Sequence, residues 1–412
     1  MDLIIGAGVS GISYANFSQN ECVIIEKEKE MGGYCRTIKR NGFIWDYSGH
    51  FFHFRNPEIE QYVRKNMKEE SLVTVQKDTS ILYNNKYIDF PFQKNIHQLS
   101  KKEFIDCLYD LFEINESEQV SSFKNMIYHN FGKSIANKFL IPYNEKLYAC
   151  DLDILDKEAM GRFFPKASKE DIILNFKNNN TNSYNDTFIY PKGGAIEYIN
   201  SLAGNISETP LALNEELISV DLKTKVAITN KRVLKYDNLI STIPFPILLK
   251  KCNIEFTNNF SCNKVLVFNL GFDRKGKDTH TCWLYIPSKE YIFYRVGFYD
   301  NIMQSDYLSL YVEIGFPEDA YLEPYDYYLT RILNDLKSAN IISNEELVDY
   351  EPVLMSPAYV HINSKSTEAM LKYKEILAND NVYSIGRYGS WTYCSIEDNI
   401  LEAKQLANTL SN

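Results

Sequence analysis

The sequence predicts an α/β fold: a Rossmann-like dinucleotide-binding domain, a helical insert and an antiparallel-sheet domain. Three observations predict it. The chain opens on a short apolar strand, Leu3 to Ile5, followed by Gly6-x-Gly8-x-x-Gly11 and a helical pattern. Helix-period segments then fill roughly residues 95 to 180, and period-two alternation dominates most of the chain beyond them.

In the opening "LIIGAGVSGISYANF", the three glycines serve a tight turn, close approach to a pyrophosphate, and close packing of helix on strand. The helix N-terminus offers free N–H groups to phosphate. "CVIIE" supplies a second apolar strand ending in Glu26, about 20 residues past Gly6. A carboxylate there accepts both ribose hydroxyls and repels a 2′-phosphate; the competing reading is a glycine-rich turn with a surface Glu. "EKEKEMGGYCRT" then places Gly32-Gly33 shortly before Arg36, read as a pyrophosphate contact or a plain surface charge.

"FIWDYSGHFFHF", residues 43 to 54, sets His50 and His53 among aromatics, just after Gly49. A metal pair, a piece of core and the lid of a flat ring are the competing readings. A three-residue spacing in an extended stretch splays the two rings and no third ligand is apparent, so no metal is expected.

Along the insert, "SKKEFIDCLYDLF" begins with Ser100 and Glu103 at capping-box spacing, with Phe104, Leu108 and Leu111 on one helical face. A second helix around Phe123, Met126 and Ile127 is expected to end near Gly132, and a third to stop at Pro142. "NFKNNNTNSYND" reads as a mobile loop. "ELISVDLKTKVAITNKRVLKYDNLISTIP" alternates like a hairpin returning to a sheet. "KVLVFNLGF", "TCWLYIP", "YIFYRVGFY" and "LSLYVEIGF" read as antiparallel strands, and a last helix starts near Ser395 and Ile396. These elements divide the chain into 1–88, 185–250 and 375–412 for the nucleotide-binding unit, 95–180 for the helices, and 89–94 with 251–374 for the antiparallel sheet.

Composition narrows the class. With 412 residues, 45% hydrophobic and 24% charged, the chain is globular and long enough for two or three cores. A net charge of −10 excludes a broad basic face for nucleic acid or an anionic membrane, so any bound phosphate is held by a few local groups. Eight scattered cysteines without a C-x-x-C pair read as reduced cytosolic thiols. Met1-Asp2 runs straight into a strand with no room for a signal peptide, and no apolar run reaches the ~18 residues of a bilayer span, so a cytoplasmic protein is expected.

The Gly32-Gly33 segment resembles the second glycine motif of the flavoprotein superfamily that includes amine oxidases, protoporphyrinogen oxidases and UDP-galactopyranose mutases. "FPFQKNI" (90 to 96), "IPYNEKLYA" (141 to 149), "NDTFIYPKGGAIEYI" (185 to 199), "CWLYIPSKEYIFYR" (282 to 295) and "GRYGSWTY" (386 to 393) occur in the same order in UDP-galactopyranose mutases, most like the eukaryotic-type branch. The resemblance implies a Rossmann-like FAD-binding domain and an antiparallel-sheet substrate domain. The implied cofactor is FAD, active when reduced by NADH, NADPH or another donor. It also implies a redox-neutral reaction in which reduced flavin N5 attacks the anomeric carbon of a UDP- or dTDP-hexose. The nucleoside diphosphate leaves, the sugar recloses as a furanose, and the diphosphate returns. UDP-galactopyranose to UDP-galactofuranose, for cell-surface glycan synthesis, is the implied conversion, and a homo-oligomer is left open.

Residue by residue, the resemblance places the Gly49 carbonyl against the flavin N5 hydrogen and His50 beside the reacting face. Gly386 and Arg387 approach the cofactor phosphates and ribityl chain, and the helix from Ser395 and Ile396 aims its positive end at the flavin. Arg162 and Arg295 match the two diphosphate arginines, each with a structural ion pair as the rival reading. One guanidinium about 4 Å from a phosphate charge is worth about 4 kcal/mol at an effective dielectric of about 20. Tyr359 and Tyr393 match tyrosines that reach the same phosphates, and Asn185 one near the hexose. Phe90 stacks on the base, Gln93 faces a pyrimidine edge, and Asn144, Trp283 and Tyr285 belong to the same pocket; core packing is the rival reading for several of these. The chain departs from the pattern at Ile302, where the family has a substrate tyrosine and Tyr299 is the nearest substitute, and at Tyr148, which replaces a tryptophan. An amine-oxidase or protoporphyrinogen-oxidase-like activity is the alternative.

Overall fold

Strand Asp2–Ile5 lies at the middle of a five-stranded parallel sheet, between Cys22–Ile25 and Asn238–Ser241, with Leu211–Ala212 and Val382–Ser384 at the edges. The computed structural model describes residues 1–52, 54–114, 119–178, 187–206 and 208–411. All four residues of the central strand are buried, because both faces of the sheet are covered. Successive side chains point to opposite faces. Ile4 packs with Tyr14, Ile24, Ala403 and Ala407 under helices Val9–Phe17 and Ile396–Leu410, while Leu3 and Ile5 pack with Phe245, Leu248 and Leu377 on the other side.

The second large element is a seven-stranded sheet built on Asn263–Phe272 and Ser309–Pro317, paired antiparallel from Asn263 opposite Pro317 to Gly271 opposite Ser309. The four expected strands all join it, with Leu347–Met355 at one edge. Thr79–Tyr83 and Lys86–Asp89, from the segment the sequence groups with the nucleotide-binding unit, extend this sheet and not the parallel one. The four expected strands pair antiparallel throughout, while Thr79–Tyr83, from outside that run, pairs in parallel with Trp283–Tyr285. One face, through Val265 and Val267, meets the helical insert; the other, through Leu266, Phe268 and Leu270, meets helix Tyr325–Ser338.

In the insert, Ser100 caps helix Lys101–Phe112 by accepting the Glu103 N–H. The helix that starts at Phe123 breaks at Gly132 (φ 71°), as expected, and a second helical segment follows it; a Cβ on Gly132 would fall 2.6 Å from the Asp110 carbonyl oxygen. Pro142 departs from expectation: it stands in the first turn of helix Ile141–Tyr148 and begins it. A π-helical stretch, Ala136–Leu140, precedes it, and a first-turn position needs no N–H from proline. The expected hairpin is present as Leu217–Asp221 and Val226–Thr229, with Val233–Lys235 as a third strand before the return to the parallel sheet. The region read as a mobile loop lies largely outside the described residues, as do His53 and Asn185. All eight cysteines are free. Among the described residues no helix is long and apolar enough to cross a membrane, and no group of His, Cys, Asp or Glu could hold a metal ion.

Candidate cofactor cleft and active site

The C-terminal ends of the parallel strands open onto a cavity of about 340 Å³ lined by Gly6, Gly8, Glu26, Gly32, Gly33, Arg36, Gly386 and Arg387. Each glycine does a different thing. Gly6 turns the chain at φ +102°, and a Cβ on Gly11 would fall 2.0 Å from the Gly6 carbonyl oxygen, so helix and turn touch at backbone distance. Gly8 has only the Gly33 Cα near its missing Cβ, at 3.9 Å, which leaves room for a phosphate. Glu26 is buried; its carboxylate accepts the Ala7 N–H at 2.8 Å and the Glu28 N–H at 3.0 Å, bracing the glycine turn while it lines the cavity. Arg36 donates to the Gly33 carbonyl at 2.9 Å, pairs loosely with Glu28, and lies over the Tyr47 ring. It is therefore a wall of the cleft and not a free surface charge.

The C-terminal segment closes this cleft. Gly386 (φ +86°) donates its N–H to Glu402, and the Arg387 N–H donates to Asn399 at 2.8 Å. Ser395 caps helix Ile396–Leu410 in a capping box with Asp398. Glu397 and Asp398 stand in its first turn, at the positive end expected to aim at the flavin, and acids there are favourable to the helix itself. The glycine cradle, the ribose-side carboxylate and the unpartnered, buried Arg387 Nε fit a dinucleotide.

Beyond Arg387 stands a cluster of buried and half-buried aromatic side chains packed around the Gly49–His50 turn. A Cβ on Gly49 would fall 2.6 Å from both the Tyr311 hydroxyl and the Phe51 ring, so only glycine fits. The His50 Nδ1–H donates to the Ser48 carbonyl (2.8 Å), and burial pushes its pKa down to about 4, leaving a neutral imidazole. The Ser48 hydroxyl donates to Glu313, and Glu313 holds Arg295 through two hydrogen bonds of 2.7 Å. Burial works against the Arg295 charge and Glu313 works for it; the balance keeps the guanidinium firmly protonated.

Arg387 has no carboxylate partner among the described residues. Its guanidinium lies 5.3 Å from the Tyr359 ring centre and 4.7 Å from that of Tyr393, two rings stacked 5.8 Å apart. Tyr285, Tyr143 and Tyr294 continue the cluster, and Phe90 packs on Tyr285 at 4.8 Å. Among the described residues several buried polar atoms in and behind this cluster have no hydrogen-bond partner: the Tyr294 and Tyr311 hydroxyls, Trp283 Nε1, Gln93 Oε1 and Asn144 Oδ1. Buried donors and acceptors are normally paired, so these are free to meet a ligand's polar groups.

Of the residues singled out from sequence, Gly49, His50, Arg295, Tyr285, Tyr359, Tyr393 and Arg387 come together. Arg162 is exposed, paired with Asp398 at 2.6 Å, and touches the aromatic cluster through its neighbour Phe163, whose ring meets Tyr393. Trp283 stacks on Phe51 at 4.9 Å. Gln93 is fully buried with its amide donating to the Pro165 carbonyl, so it offers an acceptor more than a donor–acceptor pair. Asn144 similarly donates to Leu140 at 2.7 Å. Tyr299 does not replace the absent tyrosine: its hydroxyl is held by the Asp46 backbone, and Ile302 is sealed in the cluster behind Trp283. Glu313 and Tyr311 were missed. The signal was a lone acid at an inward position of "LSLYVEIGF", two residues from a tyrosine on the same face.

The family described as flavin containing amine oxidoreductase matches residues 15–349. Among solved structures, a reduced UDP-galactopyranose mutase superposes with a TM-score of 0.91 at 22% identity, over 99% of this chain and 93% of that one. A protein of Exiguobacterium sp. 255-15 assigned as a protoporphyrinogen oxidase gives 0.81 at 14% identity, over 100% and 98%. A double mutant of putrescine oxidase gives 0.65 at 11% identity, over 99% and 98%. At these identities the likenesses speak for the fold.

Proposed function

The chain belongs to the flavin containing amine oxidoreductase family, and we propose that within it this protein is a nucleotide-sugar pyranose–furanose mutase. Its cofactor is FAD. The substrate we propose is UDP-galactopyranose or a related UDP- or dTDP-hexose.

One observation carries the reading: the cation at the inner end of the cleft, Arg387, has tyrosine rings around it and no carboxylate partner among the described residues. Such a site attracts a diphosphate and repels an ammonium group, which an amine oxidase must admit. Both arginines expected to neutralise the leaving diphosphate are ion-paired, Arg295 with Glu313 and Arg162 with Asp398, so their net field is smaller than two free cations would give. Arg387, on the cofactor side, is a third guanidinium between the cofactor cleft and this pair.

When bound and reduced, the flavin supplies a nucleophilic nitrogen toward an anomeric carbon. The rest of the work is positioning and charge by this chain. Gly49 lets the backbone lie flat under the reacting centre. His50, neutral, adds no positive charge there. Tyr359 and Tyr393 present hydroxyls on stiff arms, and Arg295, fixed by Glu313, keeps a released diphosphate close without moving to meet it.

The test is to reduce the purified protein with dithionite, add a panel of UDP- and dTDP-sugars, and follow products by NMR. Furanose products are expected; none across the panel would overturn the reading. UDP alone should also shift the flavin absorption spectrum, whereas an amine-oxidising enzyme should ignore it.

A further inference from the structure

The segment that carries Arg387 hangs from the helix behind it. Gly386–Gly389 is a single helical turn, too short to fix its own place against the glycine cleft. Two side chains of helix Ile396–Leu410, three residues apart and so on one face, hold it instead. Asn399 accepts the Arg387 N–H at 2.8 Å. Glu402 takes both ends of the segment: one carboxylate oxygen accepts the Gly386 N–H at 2.7 Å, and the other accepts the Ser390 hydroxyl.

A carboxylate in that position has an electrostatic consequence. Gly386 and Arg387 line the cleft, and a bare negative charge hydrogen-bonded to Gly386 would oppose a diphosphate there while Arg387 attracts it. Helix Ser364–Ala378 supplies the counter-charge. Its Lys374 reaches across, donates to the same Ser390 hydroxyl at 2.8 Å, and stands 3.7 Å from the Glu402 carboxylate. Lys374, Ser390 and Glu402 thus form a closed triangle behind the turn, with its two charges summing to zero. None of the three lines the cleft, so they act through the turn and not by touching the cofactor.

We propose that Glu402 and Lys374 are positioning residues for the cofactor: Glu402 clamps the turn that presents Arg387, and Lys374 offsets the charge of the clamp so that the field of Arg387 reaches the diphosphate of FAD undiminished. The inference rests on FAD as the cofactor and on Arg387 facing it. It is independent of the sugar chemistry, and neither outcome of the furanose assay bears on it.

The test is the dissociation constant for FAD, read from flavin fluorescence as the holoenzyme is diluted. Lys374→Met leaves Glu402 uncompensated and should weaken FAD by on the order of tenfold, as one charge does at roughly 10 Å and an effective dielectric of about 20. Glu402→Gln keeps an acceptor for Gly386 without the charge and should bind FAD no more weakly than the wild type. The two exchanges together should return the affinity to within about threefold of the wild type. That restoration is the decisive readout, because a merely structural loss is not repaired by altering a second anchor. Glu402→Ala removes the clamp itself and should raise amide hydrogen exchange at residues 386 to 390 in the holoenzyme. A Lys374→Met protein that holds FAD as the wild type does, a double variant as weak as Lys374→Met alone, or unchanged exchange in Glu402→Ala would each overturn the proposal.

Discussion

Glu313 and Arg295 face each other across adjacent strands of the large sheet, joined by two 2.7 Å hydrogen bonds, and the Ser48 hydroxyl donates to the same carboxylate. Three segments far apart in sequence are thereby locked together: the turn before Gly49, the strand of Arg295, and the strand of Glu313. The pair fixes where the guanidinium stands before any ligand arrives, and its position at the Gly49–His50 turn makes it a functional brace as well as a structural one.

Breaking the pair from one side strands a buried charge, which costs about 3 kcal/mol. Glu313→Ala should lose about that much in urea unfolding. Exchanging both residues for apolar ones, Arg295→Met with Glu313→Leu, should recover most of the loss, because no charge is then left buried. Losses that simply add would show that the two residues do not act as a pair. Nucleotide-sugar binding should be weakened in both variants, separating the stability of the brace from its use.

Gly49 and Tyr311 make a second coupled pair. A Cβ on Gly49 meets the Tyr311 hydroxyl at 2.6 Å, and Tyr311 is itself wedged over Gly297, whose Cβ would fall 1.8 Å from its ring. Gly49→Ala should therefore distort the turn, with a loss of about tenfold or more in turnover. Removing the hydroxyl with Tyr311→Phe should return part of that loss, while the Phe51 ring, also 2.6 Å away, keeps the rescue incomplete. No rescue at all would mean that the clash with Phe51 governs.

The nucleotide cleft was legible because its chemistry is local: Gly6, Gly8, Gly11 and Glu26 lie within about one strand–helix–strand unit, and the backbone conformations they need depend on residue type. Strand alternation likewise exposed the cores on both faces of the large sheet. Pro142 misled because its tolerance depends on the π-helical turn before it, which no local pattern announces. The parallel pairing of Thr79–Tyr83 with Trp283–Tyr285 joins segments about 200 residues apart and left no trace in either. The partners of Arg295 and Arg162 were invisible for the same reason: an ion pair is a property of tertiary contact, and Glu313 in isolation reads as an irregularity in an apolar strand.

Asp46 supplies a pH test. Its carboxylate accepts hydrogen bonds from Thr37, Tyr190 and the Ala195 N–H, yet complete burial pushes its pKa up to about 7. The folded chain then holds a proton that the unfolded chain releases near pH 4. Between about pH 4 and about pH 7 the native state binds more protons, so stability falls as pH rises through that window, by at most about 4 kcal/mol. Asp46→Asn has no such proton to lose. Unfolding free energies measured at steps across the window should show the wild type sloping down relative to the variant; parallel curves would mean that Asp46 is ionised throughout.

Lys146 offers the last test, since it ties the insert to the sheet. Its ammonium group donates to four carbonyls, those of Ile286, Ser288, Tyr291 and Phe293, at 2.5 to 3.1 Å. The loop they belong to leads directly into Arg295, and the helix that carries Lys146 also carries Tyr143 and Asn144. The same helix approaches strand Ser309–Pro317 at backbone distance, for a Cβ on Gly315 would fall 2.2 Å from the Lys146 carbonyl oxygen. Hydrogen bonds from a charged donor are worth about 1.5 to 3 kcal/mol each, and Lys146→Met leaves four acceptors in a part-buried setting with none. A loss of at least about 3 kcal/mol is expected, within the range such vacated acceptors produce. Lys146→Arg keeps the charge but brings a planar fork to a cage built for a compact ammonium, so it should recover only part of the loss. Hydrogen exchange of residues 286 to 295 provides the local readout: protection should fall there in Lys146→Met, ahead of the five-stranded sheet. Uniform loss across the molecule would show that Lys146 stabilises the fold generally and does not act as a latch on the strand of Arg295.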